Sequence, residues 1–260
     1  MTATSPANPA GLPDGFTDAV FAHRGLHGVA GPENSPSAFR AAIARGYGIE
    51  LDVQASAENR AMVFHDDTLD RLTDQTGPVR ARQTAELGAI RLRRGSDMIP
   101  TLDAVLRTVA GQVPLLIEIK DQDGAMGTQN IGPLEYAVAR ALKSYAGDVA
   151  VMSFNPHSVA ALQKAAPERP RGLVTCDWSR DDWPNVPAPR RDQLRQIPDY
   201  APLGCSFISH DASDLHRPRV AELRRQGAAI LTWTIRSHEA ERAARRVADT
   251  VTFEGYLPLG

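Results

Sequence analysis

Short apolar runs rich in β-branched residues recur along the chain, and stretches with helical spacing separate them. Residues 19–22, 49–53, 62–64 and 115–120 read as strands, and the series continues to a last strand at 250–253. Between the first two, Ser35 is an expected N-cap and Pro36 the first helical residue. Ala38, Phe39, Ala42 and Ile43 form the stripe of that helix, and Gly46 ends it. Further helices are expected at 84–87, 102–110, 133–145, after Pro156, at 220–226, and from an N-cap at Ser237 to about 248. Eight strands alternating with helices or loops predict a mostly parallel sheet. At 260 residues a single-domain (β/α)8 TIM barrel over 16–260 is favoured over an open doubly wound sheet. Residues 1–15, rich in Pro, Ala, Thr and Gly, are expected to be a flexible N-terminal tail.

The polar residues change the picture through where they fall. His23-Arg24 ends the first strand, Glu50 and Asp52 lie in the second, His65 ends the next, and Glu118 and Lys120 end another. In a strand, residues two apart point to one face, so Glu50 pairs with Asp52 and Glu118 with Lys120. In a parallel barrel the C-terminal strand ends share one face, where such folds place their chemistry. Two carboxylates side by side need positive charge between them, and a hard divalent cation accepts oxygen ligands. An edge strand with a solvated polar face explains Glu50 and Asp52 equally well when that stretch is taken alone. For the larger set the competing explanation is an ion-pair network of the carboxylates with Arg24 and Lys120.

Composition removes other classes. The net charge is -2, so nothing electrostatic favours nucleic acid or an anionic membrane. Cys176 and Cys205 form neither metal spacing nor a disulfide framework and are expected to be buried thiols. No apolar stretch approaches a membrane span, and the start shows no signal-peptide pattern, so a cytoplasmic location is expected. There is no Gly-x-Gly-x-x-Gly after the first strand, no Walker loop and no Gly-x-Ser-x-Gly elbow. Metal, anion clamp (Arg24, Lys120) and acid/base pair (His23, His65) together suit phosphate-ester cleavage.

The chain resembles the glycerophosphodiester phosphodiesterases. The resemblance rests on His23-Arg24-Gly25, Glu33-Asn34-Ser35 with Ala38-Phe39 and Ala42, Glu50-Leu51-Asp52-Val53, and Val63-Phe64-His65-Asp66. Ile99-Pro100-Thr101-Leu102, Ile117-Glu118-Ile119-Lys120 and Thr232-Trp233-Thr234 complete an ordered set from about residue 19 to 233. It implies a TIM barrel and one divalent cation, Mg²⁺ or Ca²⁺, on Glu50, Asp52 and Glu118. It further implies acid/base catalysis by His23 and His65, phosphate contacts from Arg24 and Lys120, and Trp233 flanking the glycerol. Glu33 matches a position at or just outside the metal site. The implied reaction splits a glycerophosphodiester into sn-glycerol 3-phosphate and an alcohol. The attacking oxygen is water or a glycerol hydroxyl that first closes a cyclic phosphate, and the motifs leave both open.

Four features depart from the family pattern or stand outside it. Glu58-Asn59 replaces Asp-Gly, Arg236 replaces an Asn, and Phe253-Glu254-Gly255 replaces Thr-Asp. His210-Asp211 falls outside the core motif, and His210 stands as a site candidate balanced against a packing role. A lysophospholipase D-type or other specialised phosphodiesterase on the same centre is an alternative reading. A non-catalytic protein binding a phosphorylated polyol is another. The small-molecule diester is the expected partner, with oligomeric state left open.

Overall fold

A computed structural model describes residues 10–28 and 30–258. Residues 1–9 of the expected tail lie outside this range. Within it, Leu12 packs against the barrel interior, and Phe16 is buried there beside Phe21.

The strands are β1 (Phe21–Ala22), β2 (Gly48–Ala55), β3 (Ala61–Val63), β4 (Leu115–Ile119), β5 (Val149–Ser153), β6 (Arg171–Thr175), β7 (Phe207–Asp211), β8 (Ala229–Ile235) and β9 (Thr250–Phe253). The helices are α1 (Pro36–Ala44), α2 (Thr84–Leu87), α3 (Leu102–Val109), α4 (Pro133–Leu142), α5 (Pro156–Ala165), α6 (Ala188–Arg195), α7 (Pro218–Arg225) and α8 (His238–Ala244). Eight parallel strands form a closed ring, because β1 pairs with both β2 and β9. The expected eight-stranded barrel is therefore present, in one domain.

The ninth strand corrects one expectation. The run at 62–64 is not a further member of the parallel series. β3 pairs antiparallel with β2, Val53 opposite Val63 and Ala55 opposite Ala61. It turns back from the rim, so His65 reaches the site from a returning strand. The turn at Asn59 has φ of 58°, which Asn accepts more readily than most residues. The segment Ala188–Arg195 is helical, which the sequence pattern does not predict; only Leu194 on it is buried, so it carries almost no apolar stripe. α8 ends at Ala244, earlier than the expected 248.

Alternation along the strands sorts the side chains. On β2, Ile49, Leu51 and Val53 face the surrounding helices, which leaves Glu50 and Asp52 on the inner face. On β4, Leu115, Ile117 and Ile119 face outward and Leu116 inward, with Glu118 above it. The barrel floor is filled by pairing large with small. Phe21 sits opposite Gly48, and Phe207 opposite Gly172. A Cβ at Gly172 would come within 2.5 Å of the Phe207 ring. Leu116, Met152, Val174 and Leu231 complete this inner layer, which supports the polar groups above it.

Candidate active site

At the open end of the ring, a cavity of about 460 Å³ is bordered by His23, Arg24, Glu50, His65, Glu118 and Lys120. These residues come from four separate stretches of the chain, and the barrel brings them together. Asp52 lies beneath the cavity, 1% exposed.

Glu50, Asp52 and Glu118 each place a carboxylate oxygen within 4.8 Å of the others, and all three are buried. The donor set is all oxygen and anionic, which fits a hard divalent cation. Burial, then the neighbouring Asp52 and Glu118 charges, push the Glu50 carboxyl well above its ordinary range. Asp52 behaves oppositely. Burial opposes its ionisation, but Lys120, the two histidines and Arg24 outweigh burial and hold it far below the usual carboxylate range. Like charges packed this closely hold their protons unequally.

Cations interleave these carboxylates. Lys120 Nζ lies 2.8 Å from Asp52 Oδ1 and 2.7 Å from Glu118 Oε1. Burial works against the ammonium, and the two carboxylates more than restore it. Arg24 adopts the left-handed φ of 55°, and its N–H donates to Glu50 Oε2 at 3.0 Å. Gly25 follows at φ 79°, where a Cβ would meet the Phe39 ring at 2.9 Å. The His-Arg-Gly turn thus needs glycine third, and it aims Arg24 inward. Arg24 Nη1 donates to Glu33 Oε1 at 2.6 Å, and its Nε lies 3.4 Å from Asp52 Oδ2 without a hydrogen bond. Glu33 is thus bonded to arginine and stands apart from the carboxylate triad. Asn34, buried at the head of α1, donates from Nδ2 to Asp52 Oδ2 at 2.8 Å.

Each histidine is held the same way. His23 Nδ1 donates to Glu254 Oε2 at 2.7 Å, and His65 Nδ1 donates to Asp66 Oδ1 at 2.7 Å. The His23 hydrogen bond keeps Glu254 ionised, at a pKa of about 2. Burial opposes the Asp66 carboxylate, but hydrogen bonds from His65 and Arg71 hold it well below its usual range. An ionised carboxylate only accepts, so Nδ1 carries the proton in both rings and Nε2 is the free atom. Burial lowers the His23 imidazole below 6.5 despite the upward pull of Glu254.

Trp233 borders the cavity with Phe154, their ring centroids 5.5 Å apart and the planes at 83°. Trp233 Nε1 already donates to the Ser209 carbonyl at 3.0 Å, so it offers the cavity a ring face. His210 stands elsewhere. It is fully buried on the outer face of β7, its Nδ1 2.7 Å from Thr175 Oγ1 and its Nε2 3.3 Å from Asp214. Both nitrogens are engaged, and it does not border the cavity, which corrects its candidacy. Its neighbour Asp211 does border the cavity.

The family model for the glycerophosphoryl diester phosphodiesterase family matches residues 23–252. YhdW of Bacillus subtilis (strain 168) is 29% identical over 231 residues, covering 85% of this chain and 87% of that protein. A glycerophosphodiester phosphodiesterase of Caldanaerobacter subterraneus subsp. tengcongensis is 32% identical over 164 residues, covering 60% of this chain and 65% of that protein. Among solved structures, an Oleispira antarctica phosphodiesterase in complex with the product sn-glycerol-3-phosphate superposes with a TM-score of 0.74 at 23% identity. That alignment covers 90% of this chain and 92% of the other. A glycerophosphodiester phosphodiesterase of Agrobacterium tumefaciens superposes at 0.67 and 26% identity, covering 90% and 95%. With the family match spanning the barrel from His23 to Thr252, the chain belongs to the glycerophosphoryl diester phosphodiesterase family.

Proposed function

We propose that this enzyme hydrolyses small glycerophosphodiesters to sn-glycerol 3-phosphate and an alcohol, using one divalent cation, Mg²⁺ or Ca²⁺. The supporting observation is one cavity bordered by a buried carboxylate triad, two cationic side chains and two carboxylate-held histidines. Glu50, Asp52 and Glu118 would hold the cation, which when bound polarises a phosphoryl oxygen as a Lewis acid.

Arg24 and Lys120 bind the phosphate, the guanidinium through paired N–H groups and the ammonium as a point charge. His23, neutral near physiological pH, takes the proton of the attacking hydroxyl on Nε2. Glu254 then stabilises the imidazolium that results. The attacking oxygen, of water or of a glycerol hydroxyl, forms its bond to phosphorus while the bond to the leaving alcohol breaks. His65 enters this step as an imidazolium, delivers its Nε2 proton to the departing oxygen and returns to the Nδ1–H tautomer, which Asp66 keeps oriented. Where the glycerol hydroxyl attacks, water then opens the cyclic phosphate, giving its proton to His65 while His23 returns one to the glycerol oxygen. The rings of Trp233 and Phe154 bind the glycerol carbons.

The test is release of glycerol 3-phosphate from a panel of glycerophosphodiesters, first in EDTA and then with Mg²⁺ or Ca²⁺. Metal-dependent release is expected, and including lysophosphatidylcholine separates a lysophospholipase D-type activity. Tight binding of diesters with no product at any metal concentration would favour a polyol-phosphate binding protein.

A further inference from the structure

The excursion between β3 and α3 is the least regular part of the barrel, yet it is firmly built. Leu69, Val79, Leu87, Leu92 and Ile99 form a buried cluster of their own with Met62 and Phe64 of the β3 segment. Thr73, fully buried, donates from Oγ1 to the Leu69 carbonyl at 2.9 Å. Arg93 donates to the carbonyls of Asp70 and Arg71 at 2.8 and 3.2 Å. Arg71 is therefore presented on rigid backbone.

The Arg71 guanidinium uses both of its edges. Nε and Nη2 donate to the two oxygens of Asp66 at 2.6 and 2.7 Å. Nη1 and Nη2 donate to the two oxygens of Glu33 at 2.8 Å each. Asp66 accepts from His65, and Glu33 accepts from Arg24. One side chain thus closes a continuous line from His65 through Asp66, Arg71 and Glu33 to Arg24. A lone exposed ion pair contributes little. Two forks on one planar group fix two carboxylates in distance and in plane, and a Lys ammonium cannot do this.

We infer that Arg71 is a positioning residue that sets the spacing between the His65 proton donor and the Arg24 phosphate clamp. This rests on the phosphodiesterase reading. The excursion that carries Arg71 thereby delivers a brace from outside the ring to groups that follow two different strands, β1 and β3. A misplacement near 1 Å from a change away from the chemistry costs roughly 100-fold in rate, and loss of the brace should show in kcat more than in KM.

The experiment compares wild type, R71A and R71K on the preferred diester at saturating metal, with thermal unfolding of each. R71A is expected to lower kcat by about 100-fold with an unfolding midpoint near that of wild type. R71K should recover little of it. Guanidinium ion, added far below denaturing concentrations, should refill the slot in R71A and raise kcat saturably, whereas methylammonium should not. No turnover by wild type would overturn the phosphodiesterase reading and this inference with it. Wild-type turnover with R71A within about twofold of it would overturn this inference alone. Full activity in R71K, or loss in R71A that follows unfolding and is not restored by guanidinium, would overturn it too.

Discussion

The Nζ of Lys120 and Oδ1 of Asp52 lie 2.8 Å apart in a site that leaves Asp52 1% exposed. The ammonium also meets Glu118, so one cation serves two of three crowded carboxylates. Removing it strands negative charge in the interior, which typically costs about 3–5 kcal/mol. Lys120→Met is expected to lower thermal stability in EDTA. A divalent cation should restore more stability to this variant than it adds to wild type. Unfolding scans with and without Ca²⁺ check both.

Glu254 accepts from His23 at 2.7 Å and from Arg236 at 3.4 Å, and on the proposed mechanism it acts through His23. Glu254→Gln keeps the shape but offers a neutral group whose amide can also donate, which admits the wrong tautomer. A tautomer error of this kind in a histidine–carboxylate pair costs up to roughly 10⁴-fold in kcat. A fall of at least about 100-fold in kcat, with a small change in KM, is the expected result of steady-state kinetics.

On the proposed mechanism the acid limb of the pH profile is expected to follow His23. Burial, its largest influence, lowers its pKa below 6.5, so the neutral base persists as pH falls through 6.5 and is lost only below it. Turnover should hold to that point and then decline. The Glu254 hydrogen bond raises this pKa, so Glu254→Gln should move the limb to still lower pH. A profile of kcat/KM for both proteins reads the position and the direction.

Cys176 and Cys205 are buried, and burial pushes each thiol up to about 12. The thiolate is the reactive form. Neither should react with a disulfide reagent at mildly alkaline pH in the native protein, and both should react after unfolding. Spectroscopic thiol titration distinguishes the two states.

Much of the site was legible because strand alternation is local. Two-residue spacing in Glu50-Leu51-Asp52 and Glu118-Ile119-Lys120 fixes which side chains share a face, and the burial of Leu51 and Ile119 against helices bears it out. The same rule, applied from Phe207, turns His210 outward. What spacing does not carry is partnership across the chain. The direction of β3 depends on its pairing with β2, since three residues have no orientation signal of their own. Asn34 bonding Asp52, and Phe154 facing Trp233, likewise depend on tertiary register. Glu254 was visible only as a departure from a pattern, and its 2.7 Å bond to His23 depends on tertiary register as well.

The ring closes where β1 meets β9, with Phe21 opposite Thr252 and Ala22 opposite Phe253, and His23 N–H donating to the Phe253 carbonyl. Glu254 is the next residue, and its partner His23 lies 231 positions away. The orientation of His23 by its carboxylate is therefore tied to closure of the β1–β9 seam. A chain that has collapsed but not joined its two ends holds the carboxylates, the lysine and His65, yet its His23 has no carboxylate to orient it. Folding intermediates of this barrel should be silent toward phosphodiesters, and the onset of turnover during refolding would serve as a clock for circularisation of the sheet.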